Sequence, residues 1–329
     1  MCQFTNVTEL ADAIIGGFRI TREMDTSLLL QTNLSTLGRE ANRIRKAFFP
    51  DHIDLCTIIS GRCGKCSEDC KFCAQSGHHP GNCSEHPLLD EDSILSEAHA
   101  NQEEKIDRFC IVNSGYGPTD EDFEKLIAIY TRMKKELNIS FCASLGFLTS
   151  EQMKRLHQAG VKRVHCNIET SENYFPKVCT THSFTDKIEN IRRALAEGFS
   201  VCSGGIIGMG ETWQDRLDMA LTLSELGVDS IPINSLMPIK GTPFGDLPRL
   251  SEEDILRTVA IFRFINPTSH IRLAGGRALM TEDGKASFTA GASASITGNM
   301  LTTCGSTIQS DRKMLSDLGF DVTPDWIRA

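Results

Sequence analysis

Leu55-Cys-Thr-Ile-Ile59-Ser-Gly-Arg-Cys63-Gly-Lys-Cys66-Ser-Glu-Asp-Cys70-Lys-Phe-Cys73 places four thiols directly behind a short β-branched run. The run Leu55–Ile59 reads as a strand, because branched side chains fit a pleated surface. Similar runs recur at Phe109–Val112, Ile139–Leu145, Arg163–Ile168, Phe199–Ile207, Ser230–Ser235, Ile271–Leu273 and, more weakly, Ser293–Ile296. Between them lie stretches of helical period, with Ile188, Ile191 and Leu195, or Ile255, Val259 and Phe262, on one face. Thr119 with Asp122, Thr149 with Gln152, and Ser251 with Asp254 have the spacing of capping boxes. Strand followed by helix about eight times predicts an α/β fold, a (βα)8 TIM barrel with its chemistry at the carboxyl ends of the strands. An open doubly wound sheet is the alternative. Residues 1–50 read as a helical N-terminal extension, with Leu10, Ile14, Ile15 and Phe18 at helical spacing. No linker, repeat or low-complexity tract divides 1–329, which is read as a single domain.

Composition narrows the function classes. The 329 residues are 40% hydrophobic and 23% charged, enough for a sizeable core. A net charge of -9 argues against a nucleic-acid backbone as the main ligand. No apolar run reaches the roughly 18–20 residues that span a bilayer, and the start Met1-Cys-Gln-Phe-Thr lacks a signal-peptide pattern. A cytoplasmic protein is expected, without membrane or nucleic-acid partners. Thirteen cysteines exceed what packing needs in a reducing compartment, which points to soft-metal chemistry.

As a zinc site, Cys63/Cys66 and Cys70/Cys73 would form two knuckles, but three residues separate the pairs where zinc ribbons have about 12 to 20. Cys66, Cys70 and Cys73 alone have the spacing C-x3-C-x2-C, which wraps three corners of an iron-sulfur cubane and leaves one iron open. With Phe72 before the last cysteine, this motif resembles that of the radical S-adenosylmethionine superfamily. The resemblance implies a [4Fe-4S] cluster whose open iron chelates the methionine end of S-adenosylmethionine. It also implies reductive cleavage to a 5′-deoxyadenosyl radical that removes hydrogen from unactivated carbon. Cys63 is expected to be dispensable for this cluster.

Further stretches resemble the biotin synthases over about residues 5 to 320: Arg108-Phe-Cys110, Ser140-Phe-Cys142, Val201-Cys202-Ser-Gly-Gly-Ile-Ile-Gly-Met-Gly-Glu211, Pro232-Ile-Asn234, Lys240-Gly-Thr-Pro243, Pro267-Thr-Ser269, Ile271-Arg272-Leu273 and Leu301-Thr-Thr303. The resemblance implies that Cys110, Cys142, Cys202 and Arg272 surround an auxiliary iron-sulfur cluster, the sulfur donor. Three departures stand out. Cys56 occupies a place where many members have serine, Cys63 stands at a small hydroxyl residue, and His165-Cys166 replaces an Asn-His pair. Cys56 is therefore read as a fourth thiolate ligand, with Arg272 as a nearby counter-charge, since arginine stays protonated and is a poor donor to metals. That favours a four-iron auxiliary cluster over [2Fe-2S]. Cys166 is the rival ligand, but its neighbour Asn167 is expected to face inward, which turns Cys166 outward.

By the same resemblance Asn167 bridges cofactor ribose and substrate, Glu169 accepts from ribose hydroxyls, and Asn234 meets the cyclic urea of the substrate, to which an amide can both donate and accept. Phe72, Ser114, His182, Ile206 and Met237 fall at cofactor-binding places, His182 where arginine is common. Asn113–Gly117 resembles the loop that receives the methionine amino group, and Thr302 and Thr303 the pair receiving the substrate carboxylate. Gly204–Gly208 lacks the order of a phosphate loop and is read as a close approach to adenine. His78, His79 and His86 are read as surface residues. Cys66, Cys70, Cys73, Asn167 and Arg272 form the expected catalytic set; Cys83, Cys179 and Cys304 receive no role. The activity implied is radical sulfur insertion into desthiobiotin to form biotin. A homodimer and a flavodoxin- or ferredoxin-like electron donor are family expectations. The alternatives are a related barrel enzyme acting on another small molecule and, from another class, a zinc-binding interaction protein.

Overall fold

The computed structural model describes residues 4–80, 83–299, 301 and 305–328. Three helices lead in: α1 (Val7–Ile15), α2 (Ser27–Gln31) and α3 (Leu34–Phe48). The side chains of Asn6 and Asn33 start α1 and α3 by accepting otherwise unpaired backbone N–H groups. Nine strands follow: β1 (Asp54–Arg62), β2 (Arg108–Asn113), β3 (Ser140–Ser144), β4 (Val161–His165), β5 (Ser200–Cys202), β6 (Gly205–Ile207), β7 (Ser230–Ser235), β8 (His270–Leu273) and β9 (Ala294–Ile296). All neighbours pair in parallel in the order β5-β4-β3-β2-β1-β9-β8-β7-β6. The pairing Cys202↔Ser230 joins β5 to β7 and closes the ring. The result is a (βα)8-type barrel whose fifth stave is β5 and β6 in series.

That stave corrects the expectation of one strand over Phe199–Ile207. Opposite the break stands Pro232 on β7, which has no N–H to give the ladder. A Cβ on Gly204 would lie 2.0 Å from the Pro232 carbonyl oxygen, so only glycine permits this approach. The fourth stave also leaves regular structure earlier than expected, at His165 rather than Ile168. Its continuation still hydrogen-bonds across, from the Cys166 N–H to Cys202 and from the Ile168 N–H to Gly204.

Helices α4 (Glu91–Glu103), α5 (Asp120–Glu136), α6 (Ser150–Gln158), α7 (Phe184–Ala196), α8 (Trp213–Leu226) and α9 (Glu252–Ile265) coat the barrel. Thr149 and Gln152 form the expected reciprocal box, and Thr119 and Ser251 accept from the N–H groups of Asp122 and Asp254. The stave β8 breaks the alternation. It is followed by 3-10 turns, Arg277–Leu279 and Thr281–Thr289, because Glu282, Asp283 and Gly284 take left-handed backbone angles that no α-helix accommodates. Helix α3 packs against α9 and this segment, so the N-terminal extension supplies the missing cover. Arg263 of α9 is buried beneath it, donating to carbonyl oxygens of Gly291, Asn266, Pro267 and Ser269. The chain ends in α10 (Ile308–Asp317), held by the buried Arg277–Asp311 pair, and α11 (Asp325–Arg328).

Candidate active site

A cavity of ≈ 420 Å³ occupies the barrel interior and the mouth formed by the carboxyl ends of its strands. A wider surface groove of ≈ 880 Å³ between α7 and α8 contains no thiol or imidazole, so the chemistry belongs to the smaller space. At the mouth, β1 runs into a loop closed by the Cys63–His86 bridge, with N–H to oxygen distances of 3.1 Å in both directions. Within the loop the Cys66 N–H donates to Gln75 and the Cys73 N–H to Cys70, both at 3.0 Å. These turns aim Cys66, Cys70 and Cys73 into the cavity, whereas Cys63 is buried outside it. Burial pushes the Cys73 thiol up to about 11. Cys179 sits beside Cys70 and His182, with ligand atoms of the three within 4.8 Å of one another.

The inner end of the cavity, below the mouth loop, is lined by thiols. Cys56, Cys110, Cys142 and Cys202 reach it from β1, β2, β3 and β5. Cys110 and Cys142 are paired in register, and with Cys56 they form one buried cluster. Cys142 is held well below the ordinary thiol range because Cys110 and Cys56 hydrogen-bond to it; their own thiols are raised in return. Beneath them Arg272 commits its whole guanidinium: Nε to Ser230, one terminal nitrogen to the carbonyls of Asp54 and Ser295, the other to the Asp54 carboxylate. Asp54 also takes Arg108 at 2.7 Å. Asp54 and Arg272 are almost wholly buried, 1% and 3% exposed, while Arg108 is half-buried at the cavity wall. Four convergent, unlinked soft donors beside fixed positive charge suit an iron-sulfur cluster. Cys166 lies instead among apolar core side chains outside the cavity.

Between the two thiol groups stand the polar residues. Asn167 Oδ1 accepts the Gly204 N–H at 3.0 Å, and its Nδ2 lies 3.4 Å from Glu169. Glu169 has φ 68, does not begin a helix, and burial raises its carboxyl. Asn234 on β7 donates to the Gly205 carbonyl and accepts from the Gly275 N–H, which leaves one donor and one acceptor position toward the cavity. Phe72, Ser114, His182, Ile206 and Met237 line the same space. Ser114 donates to the Gly64 carbonyl, tying the β2 end to the thiol loop. His182 is fixed by Glu68 at 2.6 Å from Nδ1, while its buried Nε2 has no partner among the described residues. Thr302, Thr303 and Cys304 lie outside the described residues.

His78 is exposed and His79 and His86 are partly exposed, so all three reach the surface as expected. His78 and His79 meet the carbonyls of Ser67 and Asp69. Cavity residues left without a role in the sequence reading include Lys187, whose amine lies 5.1 Å from the Phe147 ring centre, and His165. Alternation along a strand would have found His165, which is two residues before Asn167 and so shares its face.

Comparisons with known proteins concern the chain as a whole. A profile of the Radical SAM superfamily matches residues 62–223, and one of the Biotin and Thiamin Synthesis associated domain matches 232–321. A biotin synthase of Clostridium beijerinckii is 52% identical over 314 residues, 95% of this chain and 99% of the relative. One from Brachyspira hyodysenteriae is 47% identical, over 96% of this chain and 95% of its own length. Among solved structures, methylornithine synthase superposes with a TM-score of 0.83 at 20% identity, covering 95% of this chain and 97% of that one. At that identity the likeness concerns the fold alone.

Proposed function

The chain belongs to the biotin synthase family of radical S-adenosylmethionine enzymes, and from that premise we propose how its own residues divide the work. The reaction is sulfur insertion into desthiobiotin to form biotin, with S-adenosylmethionine and iron-sulfur clusters as cofactors. Family membership sets aside both the barrel enzyme for another small molecule and the zinc-binding interaction protein.

The observation that carries the assignment is one cavity with thiols at both ends and amides between them. Cys66, Cys70 and Cys73 would hold the [4Fe-4S] cluster, which when bound supplies the electron that generates the 5′-deoxyadenosyl radical. Phe72, Ser114, His182, Ile206 and Met237 bound the cofactor. Glu169 offers acceptor oxygens to a ribose diol, Asn167 stands between cofactor and substrate, and Asn234 offers its remaining donor and acceptor to the urea edge. Thr302 and Thr303 are assigned to the substrate carboxylate. Cys56, Cys110, Cys142 and Cys202 would hold the auxiliary cluster. The clustering of Cys56 with Cys110 and Cys142, the presence of Cys202 on the same cavity wall, and the engagement of every Arg272 nitrogen elsewhere support a four-iron centre over [2Fe-2S]. The closed stave ring keeps water from the radical.

One domain over 1–329 is supported by a single sheet built from both profile-matched segments. A cytoplasmic homodimer fed by a flavodoxin- or ferredoxin-like donor completes the proposal. Free thiols at all described cysteines fit a reducing compartment, and no described helix is long and apolar enough to cross a membrane. The test is anaerobic reconstitution, then incubation with desthiobiotin, S-adenosylmethionine and reductant. Biotin and 5′-deoxyadenosine should form together; 5′-deoxyadenosine without biotin would assign a different substrate.

A further inference from the structure

His165 lies between the inner thiols and the cofactor-binding end of the cavity, in register with Cys202. Its hydrogen bonds fix more than its own ring. A backbone N–H can only donate, so the bond from Gly204 identifies the oxygen of the Asn167 amide. His165 Nε2 stands 3.0 Å from that same oxygen. Two atoms without hydrogen would repel at this distance, so Nε2 carries the hydrogen, whatever the state of Nδ1. On the far side Ser144 Oγ lies 3.0 Å from Nδ1 and anchors the ring to β3.

The consequence falls on Asn167. Both lone pairs of Oδ1 are occupied, one by Gly204 and one by His165, so the amide cannot flip and cannot accept from a ligand. Its Nδ2 has one hydrogen toward Glu169 and one left for the cavity.

We propose that His165 is the positioning residue of this site: by donating from Nε2 it locks Asn167 as a donor only, selecting ligand atoms that accept. A ribose oxygen and a urea carbonyl oxygen qualify, whereas an N–H presented at the same place would be refused. The inference rests on the reading of Asn167 given under the proposed function and adds the residue that sets its polarity.

The test compares His165→Gln and His165→Met in reconstituted holoenzyme. The two side chains have equal length, and only Gln keeps an N–H donor near the position of Nε2. Iron content serves as the control for folding and cluster loading. Equilibrium dialysis with S-adenosylmethionine in the presence of desthiobiotin, and the ratio of biotin to 5′-deoxyadenosine, are the readouts. With normal iron, the Met variant should bind about 10-fold more weakly and give a lower ratio, since a buried acceptor loses one of its two partners and the amide is held less firmly. The Gln variant should recover most of both. Wild-type behaviour of the Met variant, or equal losses in both variants at normal iron, overturns the proposal. Should Met lose iron, His165→Phe is the second donor-less variant, judged by the same outcomes. Asn167→Ala separates the two levels: if it leaves both readouts unchanged, the reading of Asn167 itself has failed. If it impairs them while the donor-less variants do not, only the role of His165 falls.

Discussion

Cys70 and Asn234 mark the two chemistries of the cavity at the scale of single residues. Cys70 belongs to the one short loop that aims three thiols at a common space, and Cys63, although its neighbour in sequence, is buried elsewhere. Cys70→Ala should abolish 5′-deoxyadenosine formation, measured by chromatography after reconstitution, while Cys63→Ala should retain it. Asn234 is held by two backbone bonds, so its free edge is preorganised rather than adaptable. Asn234→Ala should weaken desthiobiotin binding by about 1–3 kcal/mol, the cost of leaving a buried polar edge unpaired. Equilibrium binding of labelled desthiobiotin checks this. The mouth thiols were legible from spacing, and Cys110, Cys142, Cys202 and Asn234 from resemblance. His165 was not assigned, although strand alternation pointed to it, because its role resides in bonds to Ser144 and Asn167 that only the folded barrel brings together.

Strand β1 shows how an element can change a site with one substitution-sized difference. Its inward residues run Cys56, Ile58, and Cys56 joins Cys110 and Cys142 in one buried cluster. Cys56→Ser should reduce the iron bound by a variant already lacking Cys66, Cys70 and Cys73, and should alter its Mössbauer spectrum. A two-iron spectrum indifferent to the change would return Cys56 to simple packing. Most staves were readable because branched runs and capping spacings are local signals. The break between β5 and β6 was not, since its cause, Pro232, belongs to a neighbouring stave. The absent helix after β8 was equally hidden: its place is taken by α3, from the other end of the chain.

For the whole molecule, stability should depend on pH through histidines kept neutral by burial. His270 packs against Phe49 and is pulled down to about 3. Its folded pKa lies below the unfolded value, so the unfolded chain takes up a proton that the folded chain refuses. Stability is therefore intact above the unfolded value and falls as pH drops toward the folded one. Between about pH 7.5 and about pH 5.5 this residue should account for a loss of about 1 kcal/mol. Urea unfolding of metal-free protein, compared with His270→Gln, should show the variant losing less over that interval.

The buried Asp54–Arg272 pair, with half-buried Arg108 beside it, has a logistical consequence. It closes the barrel below the inner thiols, so iron and sulfide for the centre proposed there would have to travel through the mouth, past Cys66, Cys70 and Cys73. On that proposal construction has an order, with the inner centre furnished before the doorway is occupied. Were the far end to surrender its sulfur as proposed, it could be restocked only while the entrance stood clear.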